Sequence, residues 1–196
     1  MKIVLIISAV IVVAAIAVQI VVSKGQRGIE TYPYTVIKQY KDFEIRAYEA
    51  TLFTSVKLAS NEYDRASSQG FSVLAGYIFG GNKRNEKIAM TSPVSMSLED
   101  SMTMMFMVPK KFNKETLPQP NTSQITFREE PAKTVAAITF GGWANNHKIE
   151  TYKAKLIAAL DAEGVSYTNQ FSLLGYNAPF ELVNRTNEII VELPSN

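Results

Sequence analysis

Thr91-Ser92-Pro93-Val94 and Asn177-Ala178-Pro179-Phe180 lie 86 positions apart and run polar, small, proline, apolar in the same order. A second pair, Arg46-x-x-x-Ala50 and Arg128-x-x-x-Ala132, lies 82 positions apart, and a drift of four residues is what loops of unequal length produce. Outward from these landmarks, both halves of the chain read as hairpin, strand, helix and two strands. In the first half, Tyr34 to Tyr40, a Lys41-Asp42 turn and Phe43 to Tyr48 form a β-hairpin, and Leu52 to Leu58 is a further strand. Ser60 or Asn61 caps a helix that runs to about Phe79, where Gly80-Gly81-Asn82 ends it. Phe71, Leu74, Ala75 and Ile78 keep helical spacing along it, and strands at Ile88 to Ser97 and Met102 to Val108 follow. In the second half, strands at Gln124 to Arg128 and Thr134 to Phe140 meet around Pro131. Asn145 or Asn146 then caps a helix ending near Gly164, with Ile149, Tyr152, Leu156 and Leu160 on one face, before strands at Tyr167 to Tyr176 and Glu188 to Leu193. The fold class is α+β, built from two copies of one unit with a helix across each sheet. A helix covers only one face of its sheet, so the two copies must share a core, leaving a groove between helix and sheet.

Composition narrows the function. The chain has 196 residues, 46% hydrophobic and 19% charged, which fits one folded domain with an appendage. The absence of cysteine excludes a disulfide framework, a thiolate metal site, an iron–sulfur cluster and a cysteine nucleophile. His147 is the only histidine, so a multi-histidine metal centre is excluded as well. Lys2, Lys24 and Arg27 precede the first acid, Glu30, so the net charge of +2 becomes −1 from residue 28 onward. Lys110, Lys111 and Lys114 form a tight basic run, which is too little for a face that grips nucleic-acid phosphates. No phosphate-binding glycine loop or serine-elbow motif occurs. Glu129-Glu130 is a pair of acids, yet neighbours on a strand face opposite ways and cannot share acid–base work. These absences point to a binding protein, not an enzyme.

The chain divides at residues 22 and 28. Of the 20 residues from Ile3 to Val22, only Ser8 and Gln19 are polar, and a helix of that length spans ~30 Å, the thickness of a bilayer core. An uncleaved membrane anchor over residues 1–22 is expected, because the apolar run continues past the small-x-small site at Ala15-Ile16-Ala17 that a signal peptidase would accept. A cleaved signal segment and a buried soluble helix are the alternatives. Residues 23–28 form a polar linker and 29–196 the folded domain. The protein is then membrane-anchored through its N-terminus, and periplasmic or otherwise extracytoplasmic if the segment is cleaved or oriented outward.

Six segments, taken in order, resemble the SOUL heme-binding protein family. They are Ile29-Glu-Thr-Tyr-Pro-Tyr-Thr-Val-Ile37, Tyr77-Ile-Phe-Gly-Gly-Asn82, Ile88-Ala-Met-Thr-Ser-Pro-Val94, Phe140-Gly-Gly-Trp-Ala144, Gly175-Tyr-Asn-Ala-Pro179 and Asn187-Glu-Ile-Ile-Val191. The resemblance implies a distorted β-barrel flanked by two helices with pseudo-twofold symmetry, related to gyrase-inhibitor-like effector-binding domains. It also implies that heme or a related tetrapyrrole binds in an apolar cleft beside the first helix. The cleft would be walled by Phe71, Leu74, Ala75 and Ile78, with Phe71 and Ala75 at the positions where the family places two methionines. The family's helix arginine and lysine correspond to Ser68 and Gly76, and its C-terminal loop lysine to Glu181. Arg65, one turn before Ser68, and Arg185, four residues after Glu181, are the nearest replacements for the lost charge. Another amphipathic small molecule of the effector-binding type is the alternative ligand.

Three further candidates have bland readings. His147 reads as a polar residue at the start of the second helix, away from the expected cleft. Met102, Met104 and Phe106 alternate along a strand as packing residues do. Trp143, following two glycines, reads as an aromatic packed at a turn before it reads as the border of a groove.

Overall fold

The computed structural model describes residues 28–60, 62–99, 101–179 and 181–194. The expected N-terminal hydrophobic helix and residues 23–27 of the linker lie outside the described residues, as does Asn61. Within them the chain forms β1 (Tyr34–Gln39), β2 (Glu44–Tyr48), β3 (Thr51–Lys57), α1 (Tyr63–Ile78), β4 (Val94–Ser97) and β5 (Thr103–Met107). β6 (Ile125–Glu130), β7 (Lys133–Gly141), α2 (Asn146–Ala162), β8 (Phe171–Gly175) and β9 (Thr186–Glu192) follow. The strands make one nine-stranded sheet in the order β1-β2-β7-β9-β8-β4-β5-β3-β6, curled into a half-barrel. Leaving β1 aside, this order reads the same from either end when β2 to β5 are exchanged for β6 to β9. The middle of the sheet is therefore the β8–β4 pairing.

Register explains how the core divides. Leu173, Met96 and Met104 stand opposite one another across β8, β4 and β5, so they share a face of the sheet. Met96 and Met104 pack in the cluster under α1 and Leu173 in the cluster under α2, which places both helices on that face. The alternate residues of β5, Met105 and Met107, turn the other way and pack with Tyr48, Phe53, Val135, Leu174 and Ile190. Every residue of β5 is buried, as period-2 alternation between two apolar layers requires. At ~1.5–3 kcal/mol per fully buried large side chain, these layers carry most of the driving force for folding.

Local chemistry sets the element ends. Asn145 caps α2, its Oδ1 accepting from the Lys148 N–H at 2.9 Å. The N-cap of α1 is Glu62, which makes no side-chain capping bond, while Ser60 Oγ instead accepts from the Glu62 N–H. The expected strand from Ile88 forms only from Val94. Pro93 has no N–H to donate to a ladder, and before it the chain makes only an isolated bridge, the Ser92 N–H on the Glu30 carbonyl and the Tyr32 N–H on the Ser92 carbonyl, and a single bond from the Ile88 N–H to the Ile78 carbonyl. Among the described residues no helix is long and apolar enough to cross a membrane.

Candidate functional site

A cleft of about 420 Å³ lies on the helix-bearing face at the seam between the two halves. The first half supplies one wall: Tyr63, Asp64, Ser67, Ser68, Phe71 and Ser72, a stripe at three- and four-residue spacing along α1. Its three serines leave room that larger side chains would fill. Gly70, one step round the helix, holds α1 close to the sheet, since a Cβ there would meet Leu58 Cδ2 at 2.8 Å and Met104 Cβ at 3.2 Å. Val94, Met96 and Met104 from the first half, with Leu173 and Gly175 from the second, supply apolar lining from the sheet. The opposite rim comes from the second half, with Trp143 and Ala144 ahead of α2, Asn177 and Pro179 in the β8–β9 loop, and Arg185 where that loop ends. Gly142, at φ +79°, lets the chain turn off β7 toward Trp143.

Arg185 is the cleft's organised cation. Its Nη1 donates to the carbonyls of Ala178 at 2.9 Å and Glu181 at 2.6 Å, and its guanidinium lies 3.8 Å from the centre of the Trp143 ring. Its Nε is buried and makes no hydrogen bond. A buried donor without a partner among the described residues is uncommon. Across the cleft, burial pushes the Tyr63 phenol up, and the nearby Arg185 charge opposes that shift.

The structure brings three of the expected site residues into this cleft: Ser68, Phe71 and Arg185. Leu74, Ala75 and Ile78 do not line it. Leu74 and Ile78 point into the core under α1 with 0% and 4% exposure, and Ala75 is buried. The cleft thus engages the first turns of the helix and stops short of its end. Arg65 stands in solvent with Nε 3.1 Å from Glu62. Glu181 is buried and braces its own loop, accepting from Asn177 Nδ2 at 2.8 Å and from the Ala178 N–H at 3.2 Å. Trp143, read first as a packed aromatic, is half exposed at the rim. Met96 and Met104 are buried packing residues that also line the cleft, and the β5 alternation already placed Met104 with Phe106 on one face. His147 is exposed at the start of α2 and lines none of it. Glu129 and Glu130 face opposite ways as expected: Glu129 pairs with Lys114 in solvent, while buried Glu130 meets Lys133 and Arg128.

A larger hollow of about 850 Å³ lies where β1 and β2 meet the chain's C-terminal strand, lined by Ile37, Ile45, Leu193 and Pro194 among others. Its one cation, Lys133, is already held by Glu130 at 2.9 Å and Glu192 at 2.6 Å, so it offers no free positive charge to an acidic ligand. The opposite face of the sheet carries a closed polar network. Arg46 forks onto Glu188 at 2.8 and 3.0 Å, and Tyr176 and Thr139 donate to the same carboxylate. Burial opposes the Arg46 charge, but its bonds to Glu188 hold it ionised, while burial and Glu188 push the Tyr176 phenol up. The network is satisfied and structural. Among the described residues, no three His, Cys, Asp or Glu side chains gather as a metal site.

The SOUL heme-binding protein family model matches residues 29–192. The chain belongs to the SOUL heme-binding protein family. Heme-binding protein 2 of Mus musculus is 28% identical over 166 residues, covering 80% of each chain. Heme-binding protein 1 of Sus scrofa is 27% identical over 173 residues, covering 82% of this chain and 91% of that one. The EcmrR C-terminal domain shares the fold at 11% identity, with a TM-score of 0.61 over 83% of this chain and 99% of its own. The SOUL assignment thus spans the described sheet, both helices and the cleft between them.

Proposed function

We propose that the cleft binds heme or a related tetrapyrrole without catalysing a reaction, as a carrier, buffer or sensor. The observation that carries this reading is a cleft lined from the sheet and α1 by Phe71, Val94, Met96, Met104 and Leu173, with the Arg185 guanidinium held fixed at its rim. Phe71, Met96 and Met104 would hold the ring, and Arg185 would hold an acidic substituent at its edge. Heme, when bound, would supply its iron and a visible absorbance band. What the chain's own residues do is bind, orient and exclude water. Burying ~300 Å² of apolar ring surface gives about 7 kcal/mol at ~25 cal/mol per Å² before ordering costs, so affinity on the order of micromolar needs no iron ligand. Heme-binding proteins 1 and 2 as relatives support the ligand class. The palindromic strand order supports a two-copy origin of the domain, with the cleft at the join. We further propose that residues 3–22 tether the domain to a membrane, with the domain on the extracytoplasmic side if the segment is oriented outward or cleaved.

A second reading has one observation in its favour. Asp64 and Ser68 stand on the α1 wall where a doubly acidic porphyrin would prefer cations, so a less acidic amphipathic molecule fits that wall better. Absorbance titration of the full chain with hemin, alongside a neutral hydrophobic dye, separates the two. The heme reading expects a saturable, stoichiometric Soret change. Dye binding without such a change would favour the second reading, and binding of neither would sink both.

A further inference from the structure

The cleft opens at the end of the domain where the described chain begins. The Ser92 N–H bonds to the Glu30 carbonyl and Ser92 Oγ donates to the Tyr176 carbonyl, one residue before Asn177 on the cleft rim. Thr31 bridges to Ser92, two residues before Val94 of the cleft lining. The entering chain, β4 and the β8–β9 loop therefore meet at one end of the sheet. Gly28 is six residue steps beyond Val22, the last of the apolar run, and an extended chain of that length reaches at most about 20 Å. A bilayer holding residues 3–22 would keep this end within that distance.

The same end carries surface chemistry suited to lipid. Trp143 is 50% exposed on the rim, and in the loop that leads to Arg185, Leu182 and Val183 are 63% and 55% exposed. Exposed apolar residues grouped beside a binding cleft are characteristic of a docking surface, and tryptophan favours the headgroup region of a bilayer. Lys110, whose N–H bonds to the Glu30 carboxylate, and its neighbour Lys111 are exposed beside the entering chain and would meet anionic headgroups. We propose that this end of the domain docks on the lipid bilayer through Trp143, Leu182 and Val183, so that the cleft takes up or delivers an apolar ligand at the membrane surface. The inference rests on the tether proposed above.

Trp143 is the chain's only tryptophan and serves as the reporter. The full chain is reconstituted into vesicles of phosphatidylcholine and phosphatidylglycerol, floated on a density gradient, and its fluorescence read with doxyl-labelled lipid and with acrylamide. Docking expects co-flotation, quenching by shallow doxyl groups, and acrylamide quenching lower by about twofold or more than in detergent. The double variant Leu182→Glu, Val183→Glu should lose most of the lipid quenching while binding protoporphyrin in detergent as the parent does. Co-flotation with Trp143 open to acrylamide and untouched by doxyl lipid would overturn the docking and leave the tether standing. Failure to float would overturn both. Undiminished lipid quenching in the double variant would remove the loop from the contact and overturn the proposed surface. The detergent titration reads the cleft's ligand separately, so loss of porphyrin binding by the parent protein would count against the heme reading alone.

Discussion

Arg185→Met tests the cleft at its most specific atom. The substitution keeps an unbranched apolar stem against Trp143 and removes the guanidinium, including the buried Nε that has no partner in the protein. A hydrogen bond to a charged group contributes ~1.5–3 kcal/mol, and Arg185 is half-buried, so solvent screening holds the expected loss to about 2 kcal/mol. That is roughly a thirtyfold weaker Kd for heme, measured by Soret titration of the detergent-solubilised full chain. Porphyrin dimethyl ester lacks the carboxylates, and its affinity should change by no more than about threefold. Raising ionic strength should weaken heme binding to the parent and leave the variant nearly flat. Arg185→Lys keeps the charge without the fork and should fall between the two. Because Nη1 also ties down the Ala178 and Glu181 carbonyls, the variant could simply loosen the β8–β9 loop. Equal losses for the free acid and the ester would show that, and would refute Arg185 as the partner of an acidic group.

Three further outcomes check the surrounding structure. Leu74→Ala, at a fully buried core position, should cost about 3 kcal/mol in urea denaturation and little heme affinity, whereas Phe71→Ala should weaken heme binding more than it lowers stability. Glu188→Gln leaves the buried Arg46 with only the partly exposed Glu44, 2.7 Å from its Nε, as counter-ion, and chemical denaturation should show a loss of about 3 kcal/mol, the low end for breaking a buried pair. Burial opposes ionisation of Glu130, but Lys133 and Arg128 outweigh it and hold the carboxyl below its usual range, so its stabilisation is present above the unfolded carboxylate pKa of about 4.3 and is lost as pH falls through the lower folded value. Urea midpoints between about pH 6 and pH 3 should therefore fall more steeply for the parent than for Glu130→Gln; parallel curves would refute this.

Much of the fold was legible because its signals are periodic. Alternation in Met102, Met104 and Phe106 and helical spacing in Leu74 and Ile78 are local consequences of burial, and each placed its strand or helix within a few residues. Less legible was how far along α1 the cleft runs. Phe71, Leu74, Ala75 and Ile78 share helical spacing, yet a helix lying obliquely over a sheet can open a cleft along one end of a stripe and seal the rest. Nothing in the spacing says where that division falls. That Trp143 and Arg185 meet at one rim was hidden for a different reason. Trp143 and Arg185 are 42 positions apart, on separate loops, and meet only because β7 pairs with β9 so that Gly141 stands opposite Thr186. The sequence cue that was available is the glycine pair before Trp143, which frees the chain to turn there.

That pairing also bears on where the cleft gets its charge. The resemblance puts a cation on α1 at the position of Ser68, and this chain has none there. Ser68 and Arg185 line the same cavity from different halves of the domain, so an acidic group between them can be met from either wall. Arg185 is the less costly source in this structure, because Trp143 and two carbonyls already fix its guanidinium and little side-chain freedom remains to be lost on binding. An arginine at position 68 would start from an exposed helix surface and have to be ordered. Glu181 fits the same economy: its carboxylate is spent on Asn177 and the Ala178 N–H, and by shaping that loop it places the two carbonyls that hold Arg185. A charge reversed in sign at position 181 is then a positioning element for the cation four residues on, and the cleft keeps one well-held positive group where the helix wall has lost its own.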